Sequence, residues 1–347
     1  MPSKRQPAAD RLTVAVTGPT GDLGIALVSA LERSRKVERI VGMARRPFDP
    51  AEHRWRKTEY RRGDVRDPRS VRAAVKGADV VVHLAFSVLG EGSATREINV
   101  DGSRVVFEEA AKAGVKRICY ASSVAAYGFH DDNPDWLDEE VPARGTPEHF
   151  YSQQKAEVEG ILGQTLLRYP DTVAYVFRPC IVAGPRAQTL LEELPYMRLS
   201  QAMPDAVIRL LASMPILKPV IPDAGIRFQF VHEDDVASAF VAGVIGRGAP
   251  GPYNLAANGT LTMSHFAAEL GWYSVPVPDL AVDVAAEIVT RVPGLPEVAS
   301  WVEVARKPVL MKTDRARKEL GWRPRHTARQ TLEELVAAHR AEADRVH

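Results

Sequence analysis

The chain reads as a doubly wound α/β protein: a parallel sheet covered by helices on both faces, with a small lobe added towards the C-terminus. Three observations predict this. Continuously apolar runs alternate with segments of helical spacing through the first half, and the first run leads into a glycine-rich turn. Beyond Pro179 the texture changes, with Pro195, Pro204, Pro215, Pro219 and Pro222 breaking up short pieces. Continuous apolar strands, rather than alternating ones, are what a sheet buried on both sides requires.

The elements follow in order. Leu12–Thr17 is the first strand, Ile25–Arg33 a helix and Arg39–Ala44 the second strand. Thr58–Arg62 is a short strand and Pro68–Lys76 opens like a helix, with proline in its first turn. Asp79–Leu84 is a buried strand, Glu97–Ala113 a long helix, Val115–Ala121 the fifth strand, Phe150–Tyr169 a second long helix and Thr172–Phe177 the sixth strand. After the proline-broken region, a strand at Arg227–Val231 and a helix at Asp234–Val244 are expected to return to the main sheet. The expected division is a flexible tail over 1–10, a main domain over 11–182 joined by 226–254, a lobe from 183–225 and 255–335, and the end of a C-terminal helix over 336–347.

Bulk properties exclude several classes of function. The 347 residues are 45% hydrophobic and 26% charged with a net charge of +1, so no basic field points to nucleic acid and no charge excess to a membrane surface. No apolar run reaches the ~20 residues of a membrane-spanning helix. Met1–Asp10 is polar and proline-containing and does not resemble a signal peptide. The two cysteines, Cys119 and Cys180, fall in strand-like segments and suit a reducing cytoplasm better than a disulfide framework. The nine histidines show no ligand-type grouping, so no metal is expected.

The strand Thr13–Thr17 runs directly into Gly18-Pro19-Thr20-Gly21-Asp22-Leu23-Gly24 and then a helix. Gly18 permits a tight turn, Gly21 lets backbone N–H groups approach a pyrophosphate, and Gly24 allows the helix to pack closely. The helix N-terminus adds partial positive charge for the phosphates. A glycine triplet between the first strand and first helix of such a series indicates a dinucleotide site of Rossmann type.

Among the nine tyrosines only Tyr151 has a lysine four residues later, Lys155, and this spacing places both on one helix face. A phenol with pKa ≈ 10 is a poor base near neutrality. A neighbouring ammonium stabilises the phenolate and brings the group nearer the range of efficient proton transfer. At the carboxyl end of the fifth strand lies Tyr120-Ala121-Ser122-Ser123-Val124-Ala125-Ala126-Tyr127-Gly128, where parallel α/β sheets carry their sites.

These segments together resemble the extended short-chain dehydrogenase/reductase superfamily, the NAD-dependent epimerase/dehydratase group. The resemblance rests on Thr17-Gly18-x-x-Gly21-x-x-Gly24, Gly63-Asp64-Val65, His83-Leu84-Ala85, Asn99-Val100-Asp101-Gly102, Gly114-Val115-Lys116-Arg117 and the serine loop. It continues through Arg178-Pro179-Cys180-Ile181-Val182-Ala183-Gly184-Pro185, Phe230–Ala237 and Leu320-Gly321-Trp322-Arg323-Pro324. It implies that Ser123 holds the substrate oxygen, Tyr151 moves the proton, and Lys155 supports Tyr151 and the nicotinamide ribose. It also implies that Asp64 and Val65 contact adenine. Leu84, Ala85 and Ala121 would pass beneath the cofactor, and Pro179 and Ile181 would line the carboxamide. A homodimer formed through the two long helices, 93–113 and 149–169, is likewise implied.

The second strand ends Met43-Ala44-Arg45-Arg46, with no acid to bind the adenosine ribose hydroxyls. Arginines there favour the 2′-phosphate of NADP over NAD. The leading expectation is therefore an NAD(P)-dependent oxidoreductase acting on a small carbonyl or secondary alcohol. The alternatives are a sugar-nucleotide 4-epimerase or dehydratase, and a non-catalytic dinucleotide sensor. Sugar-nucleotide members of the group often carry an asparagine shortly after the arginine matched by Arg178; Pro179–Gly184 contains none. Ala206–Ile221 is apolar enough to line a hydrophobic pocket, although ordinary lobe core is the better explanation. His130, Asp131 and Asp132 could face substrate, whereas His232 is expected to be structural.

Overall fold

The computed structural model describes residues 11–88, 93–188, 219–277 and 309–346. The expected tail over 1–10 and nearly all of the apolar stretch Ala206–Ile221 lie outside the described residues.

A seven-stranded sheet forms the centre, built from β1 (Leu12–Thr17), β2 (Val37–Ala44), β3 (Thr58–Arg62), β4 (Val80–His83), β5 (Arg117–Ala121), β7 (Val173–Pro179) and β11 (Gly251–Leu255). Its order is β11-β7-β5-β4-β1-β2-β3 and every pairing is parallel. The order reverses between β1 and β4. A crevice therefore opens at the carboxyl ends of these strands, where a ligand can enter.

Alternate residues of one strand serve two cores, which explains the continuous apolar runs. Val14 and Val16 of β1 pack with α1 (Asp22–Arg33) and α6 (Glu233–Val244). Ala15 packs on the opposite face with α2 (Pro68–Val75), α4 (Gly102–Lys112) and α5 (Phe150–Arg168). Full burial of a valine is worth roughly 1.5–3 kcal/mol, so a one-residue slip in β1 would be costly on both sides.

The helix expected over Glu97–Ala113 is longer and irregular. The short α3 (Ser93–Arg96) passes through a π-helical turn, Glu97–Asp101, before α4. The expected strand Arg227–Val231 does not rejoin the main sheet. Instead β10 (Phe230–His232) pairs with β8 (Ile181–Ala183) in a separate two-stranded sheet. The segment that returns is β11, on the outer side of β7. Pro252 suits that edge position because an edge strand need not donate every N–H to a neighbour.

The second lobe has its own core, formed by Ala183, Phe230, Leu261, Phe266 and the inner face of α9 (Ala328–Val346). Beside it α7 (Met263–Leu270) packs on the parallel pair β9 (Val220–Asp223) and β12 (Tyr273–Pro276). Two small elements complete the described chain: β6 (Trp136–Leu137) pairs with β13 (Leu310–Met311), and α8 (Asp314–Glu319) packs near β11.

Candidate active site

The glycine turn lies at the carboxyl end of β1, beside the loop following β4. Gly18 has φ +73°, and a Cβ there would stand 3.0 Å from the Ala85 nitrogen. A Cβ on Gly24 would lie 2.2 Å from the Gly18 carbonyl oxygen, so this glycine is required by the turn's own backbone. Gly21 differs: the nearest atom to a Cβ there is the Gly18 oxygen at 3.8 Å. Its missing side chain leaves room on the outer surface of the turn, at the N-terminus of α1, where no side chain caps the helix. Thr20 and Asp22 are exposed on this rim and Leu23 is half-buried. The cradle fits a dinucleotide pyrophosphate.

On the adenosine side, Arg45 and Arg46 stand exposed beyond β2. Asp64 follows β3, but both of its oxygens are engaged by Arg66: Oδ1 accepts from the backbone N (3.0 Å) and Nε (3.1 Å), and Oδ2 from Nη2 (2.8 Å). These bonds, despite partial burial, hold the Asp64 carboxyl below its ordinary range, with smaller help from the Arg45 charge. Val65 is buried against Gly102, where a Cβ would come within 2.7 Å of it. Leu84 N donates to the Thr17 carbonyl (3.2 Å) and Ala85 N to Thr17 Oγ1 (3.4 Å), fixing the loop beneath the turn. His83 bridges Thr17 Oγ1 (2.7 Å) and Ser103 Oγ (2.9 Å). Burial, then the Lys155 charge, pushes its pKa down to about 3, so it is a neutral strut.

The structure brings Ser123, Tyr151 and Lys155 together. Ser123 caps the 3-10 turn Val124–Tyr127 by accepting from Ala125 N (3.1 Å), and its side chain neighbours the Tyr151 phenol. Lys155, one turn along α5, donates from Nζ to the Ala121 carbonyl (2.7 Å). Its nitrogen lies 3.5 Å from the centroid of the Phe86 ring and 5.6 Å from that of Tyr151. Burial lowers the Lys155 pKa to about 7 against the opposing pull of Glu159. Burial raises that of Tyr151, with the neighbouring Ser123 hydroxyl acting the other way.

The start of α5 is locked to the serine loop. His149 accepts from Ser152 N (3.2 Å), Ser152 Oγ donates to the Ala125 carbonyl (2.6 Å), and Thr146 N donates to Ser152 Oγ (3.0 Å). Tyr151 is thus aimed by its neighbours in sequence. At the end of β7, Pro179 meets β11, and Cys180 N donates to the Leu255 carbonyl (3.0 Å) just before Ile181 opens β8.

Three contributors were given no role from sequence. Phe86 packs edge-on against Tyr151 at 5.6 Å. Asn99, inside the π turn, exchanges bonds with both backbone groups of Ser87 and donates to Gln154 Oε1 (2.8 Å). Glu159 binds Arg178 and Ser122. Asn99 opens the Asn99–Gly102 motif, and Glu159 had a readable signal in the i, i+4 stripe it continues from Tyr151 and Lys155.

The remaining flagged groups are engaged elsewhere. His130 Nε2 donates to the Gly145 carbonyl (2.7 Å), and Asp132 pairs with Arg144 (2.8 Å). His232 caps α6 by accepting from Asp234 N at Nδ1 (3.1 Å). Ligand-type atoms of His232, His326 and Glu334 lie within 4.8 Å of one another. The Asp234 bond leaves the proton of neutral His232 on Nε2, which faces Glu334 at 3.3 Å. The two imidazoles stack at 3.9 Å, and His326 Nε2 also faces Glu334, at 3.8 Å.

With this geometry in view, the comparisons place the protein in a class. The model of the NAD dependent epimerase/dehydratase family matches residues 14–256, and the chain belongs to that family. An uncharacterized protein of Mycobacterium tuberculosis is 26% identical over 328 residues, covering 90% of this chain and 80% of the relative. Sterol demethylase protein B of Methylococcus capsulatus is 33% identical over 180 residues, half of this chain and 52% of that protein. Among solved structures, UDP-glucose 4-epimerase of Thermotoga maritima with UDP-glucose superimposes with a TM-score of 0.70 at 18% identity, covering 96% of this chain and all of that one. Among the described residues, no helix is long and apolar enough to cross a membrane.

Proposed function

We propose that the protein is a hydride-transfer enzyme interconverting a secondary alcohol and a ketone. The observation that carries this reading is the convergence of Ser123, Tyr151 and Lys155 at the crevice beside the glycine turn. The nicotinamide dinucleotide would lie on Gly18, Gly21 and the first turn of α1, with Lys155 and Pro179 at its nicotinamide end; when bound it accepts or returns a hydride. Tyr151 moves the hydroxyl proton. Ser123, beside the phenol, holds the substrate oxygen in line with it. Lys155, as an ammonium, stabilises the phenolate that Tyr151 becomes.

Family membership supports an internal redox cycle, epimerase or dehydratase, over a net reductase. In such a cycle the hydride removed from the substrate is returned to it, and the cofactor is regenerated in place. The net reductase reading keeps one specific support: Pro179–Gly184 lacks the asparagine common in sugar-nucleotide members. The lobe over 183–225 and 255–335 would supply the substrate contacts, and a homodimer through α4 and α5 remains part of the proposal.

The test is a panel of nucleotide sugars and hydrophobic ketones with NAD(H) and NADP(H). An epimerase or dehydratase changes the sugar with no net change in nicotinamide absorbance, whereas a reductase consumes reduced cofactor stoichiometrically. Tyr151→Phe should lower either turnover by about 10²–10⁴-fold, the usual contribution of a proton-transfer group. Turnover that survives this substitution would mean that another group moves the proton.

A further inference from the structure

Glu159 lies one turn beyond Lys155 on the sheet-facing side of α5, and three segments of the site meet on its carboxylate. Oε1 accepts from Ser122 Oγ (2.5 Å) and Arg178 Nε (2.9 Å), and Oε2 accepts from Arg178 Nη2 (2.6 Å). The two charged side chains are 11% and 6% exposed. Arg178 also stacks over the Tyr127 ring at 4.5 Å. Ser122 immediately precedes Ser123, Arg178 immediately precedes Pro179, and Glu159 shares a helix with Tyr151 and Lys155.

A buried ion pair is a poor source of stability, because desolvating both charges offsets their attraction. A bidentate arginine–carboxylate pair does supply fixed geometry. Here it ties the serine loop, the end of β7 and the helix to one point below the reacting groups. It also places an anion near a buried ammonium. Lys155 is faced by Tyr151 and Glu159 from α5, Tyr120 from β5, neutral His83 from β4 and the Phe86 ring; its hydrogen-bond acceptor is an uncharged carbonyl. Glu159 is thus the acidic group whose field favours its charged form.

We infer that Glu159 is a positioning residue of this site, which keeps the Ser123 loop and Pro179 in register with α5 and holds Lys155 in its ammonium form. The role rests on the hydride-transfer reading above.

The experiment needs no substrate. Lysine labelled at Cε is titrated by NMR in the full chain, the Lys155 signal being assigned by its loss in Lys155→Met. In Glu159→Gln the Lys155 midpoint should fall by about 0.5–1 pH unit, and Glu159→Asp should restore most of that shift. Ser122→Ala keeps the ion pair and should leave the midpoint in place, while weakening NADH binding as measured by fluorescence. If Glu159→Gln does not fold, the apolar pair Glu159→Leu with Arg178→Met replaces it; with the Arg178 charge also gone, the midpoint should fall by less, while NADH affinity should drop with the loss of the anchor. An unchanged midpoint together with unchanged NADH affinity would overturn the assignment. Failure of the hydride-transfer reading would register separately, as turnover that survives Tyr151→Phe.

Discussion

Lys155 sits over the face of Phe86, its ammonium nitrogen 3.5 Å from the ring centroid, in a position 3% exposed to solvent. A cation there gives up water for one carbonyl and an aromatic face, which only partly replace it. The residue is therefore a local cost to the fold, borne for the sake of the site.

Lys155→Met should thus stabilise the protein while removing turnover. The folded pKa, about 7, lies below the ordinary lysine value of 10.5. Between those values the unfolded chain binds more protons, so this group's contribution rises with pH across the window and is least favourable below pH 7. The gain from Lys155→Met is expected to be about 1–3 kcal/mol at pH 6 and to shrink towards zero near pH 10.5. Denaturant melts at the two pH values check it; a gain that does not depend on pH would contradict this account.

Gly21 and Gly24 should respond oppositely to the same substitution. At Gly24 a Cβ collides with backbone at 2.2 Å, so Gly24→Ala should cost stability, on the order of 2 kcal/mol or more. At Gly21 the protein itself leaves space, so Gly21→Ala should fold normally and lose dinucleotide affinity by about tenfold or more, equivalent to ~1.4 kcal/mol. Melting and fluorescence titration of both variants separate the two effects. Equal melting temperatures would show that the turn relaxes.

Arg45 and Arg46 are the cations available to a 2′-phosphate at the end of β2. Replacing both with alanine should weaken NADPH binding by about tenfold or more and change NADH binding by much less. Equal losses for the two cofactors, or none, would overturn the 2′-phosphate role of the pair.

Glu233 is buried at the start of α6, with Oε1 accepting from Arg186 N (3.1 Å). Burial, only partly opposed by that bond and the Arg186 charge, raises its pKa to about 7. The folded value exceeds the unfolded one, so its contribution is complete below about pH 4.5 and is lost as the pH rises through 7. Glu233→Gln should accordingly be more stabilising at pH 8 than at pH 5, by about 1–3 kcal/mol. Paired thermal melts at those pH values provide the test, and a pH-independent difference would rule it out.

Much of the sheet could be read before the structure because strands buried on both faces leave uninterrupted apolar runs; Leu12–Thr17 is bounded as expected. β11 escaped because Gly251 and Pro252 at its start mask an edge strand that has lost part of that constraint. The π turn escaped because the widened hydrogen-bonding there is set by what Asn99 reaches, not by composition. Glu157 and Glu159 show the same limit at the site. On the sequence they are two similar helical acids, yet they point in different directions: Glu157 pairs with Arg96 at the surface and Glu159 with buried Arg178. Helical phase separates them, but the partner that makes Glu159 buried comes from a distant strand.

The chain leaves the main sheet after Pro179 and returns through β11, and Cys180 N meets the Leu255 carbonyl where the two paths lie side by side. Both stems of the lobe thus spring from a single doorway at one margin of the sheet. On the proposed reading the lobe's sequence can diverge towards new substrates while β1, β4 and α5, which would carry the hydride chemistry, keep their register.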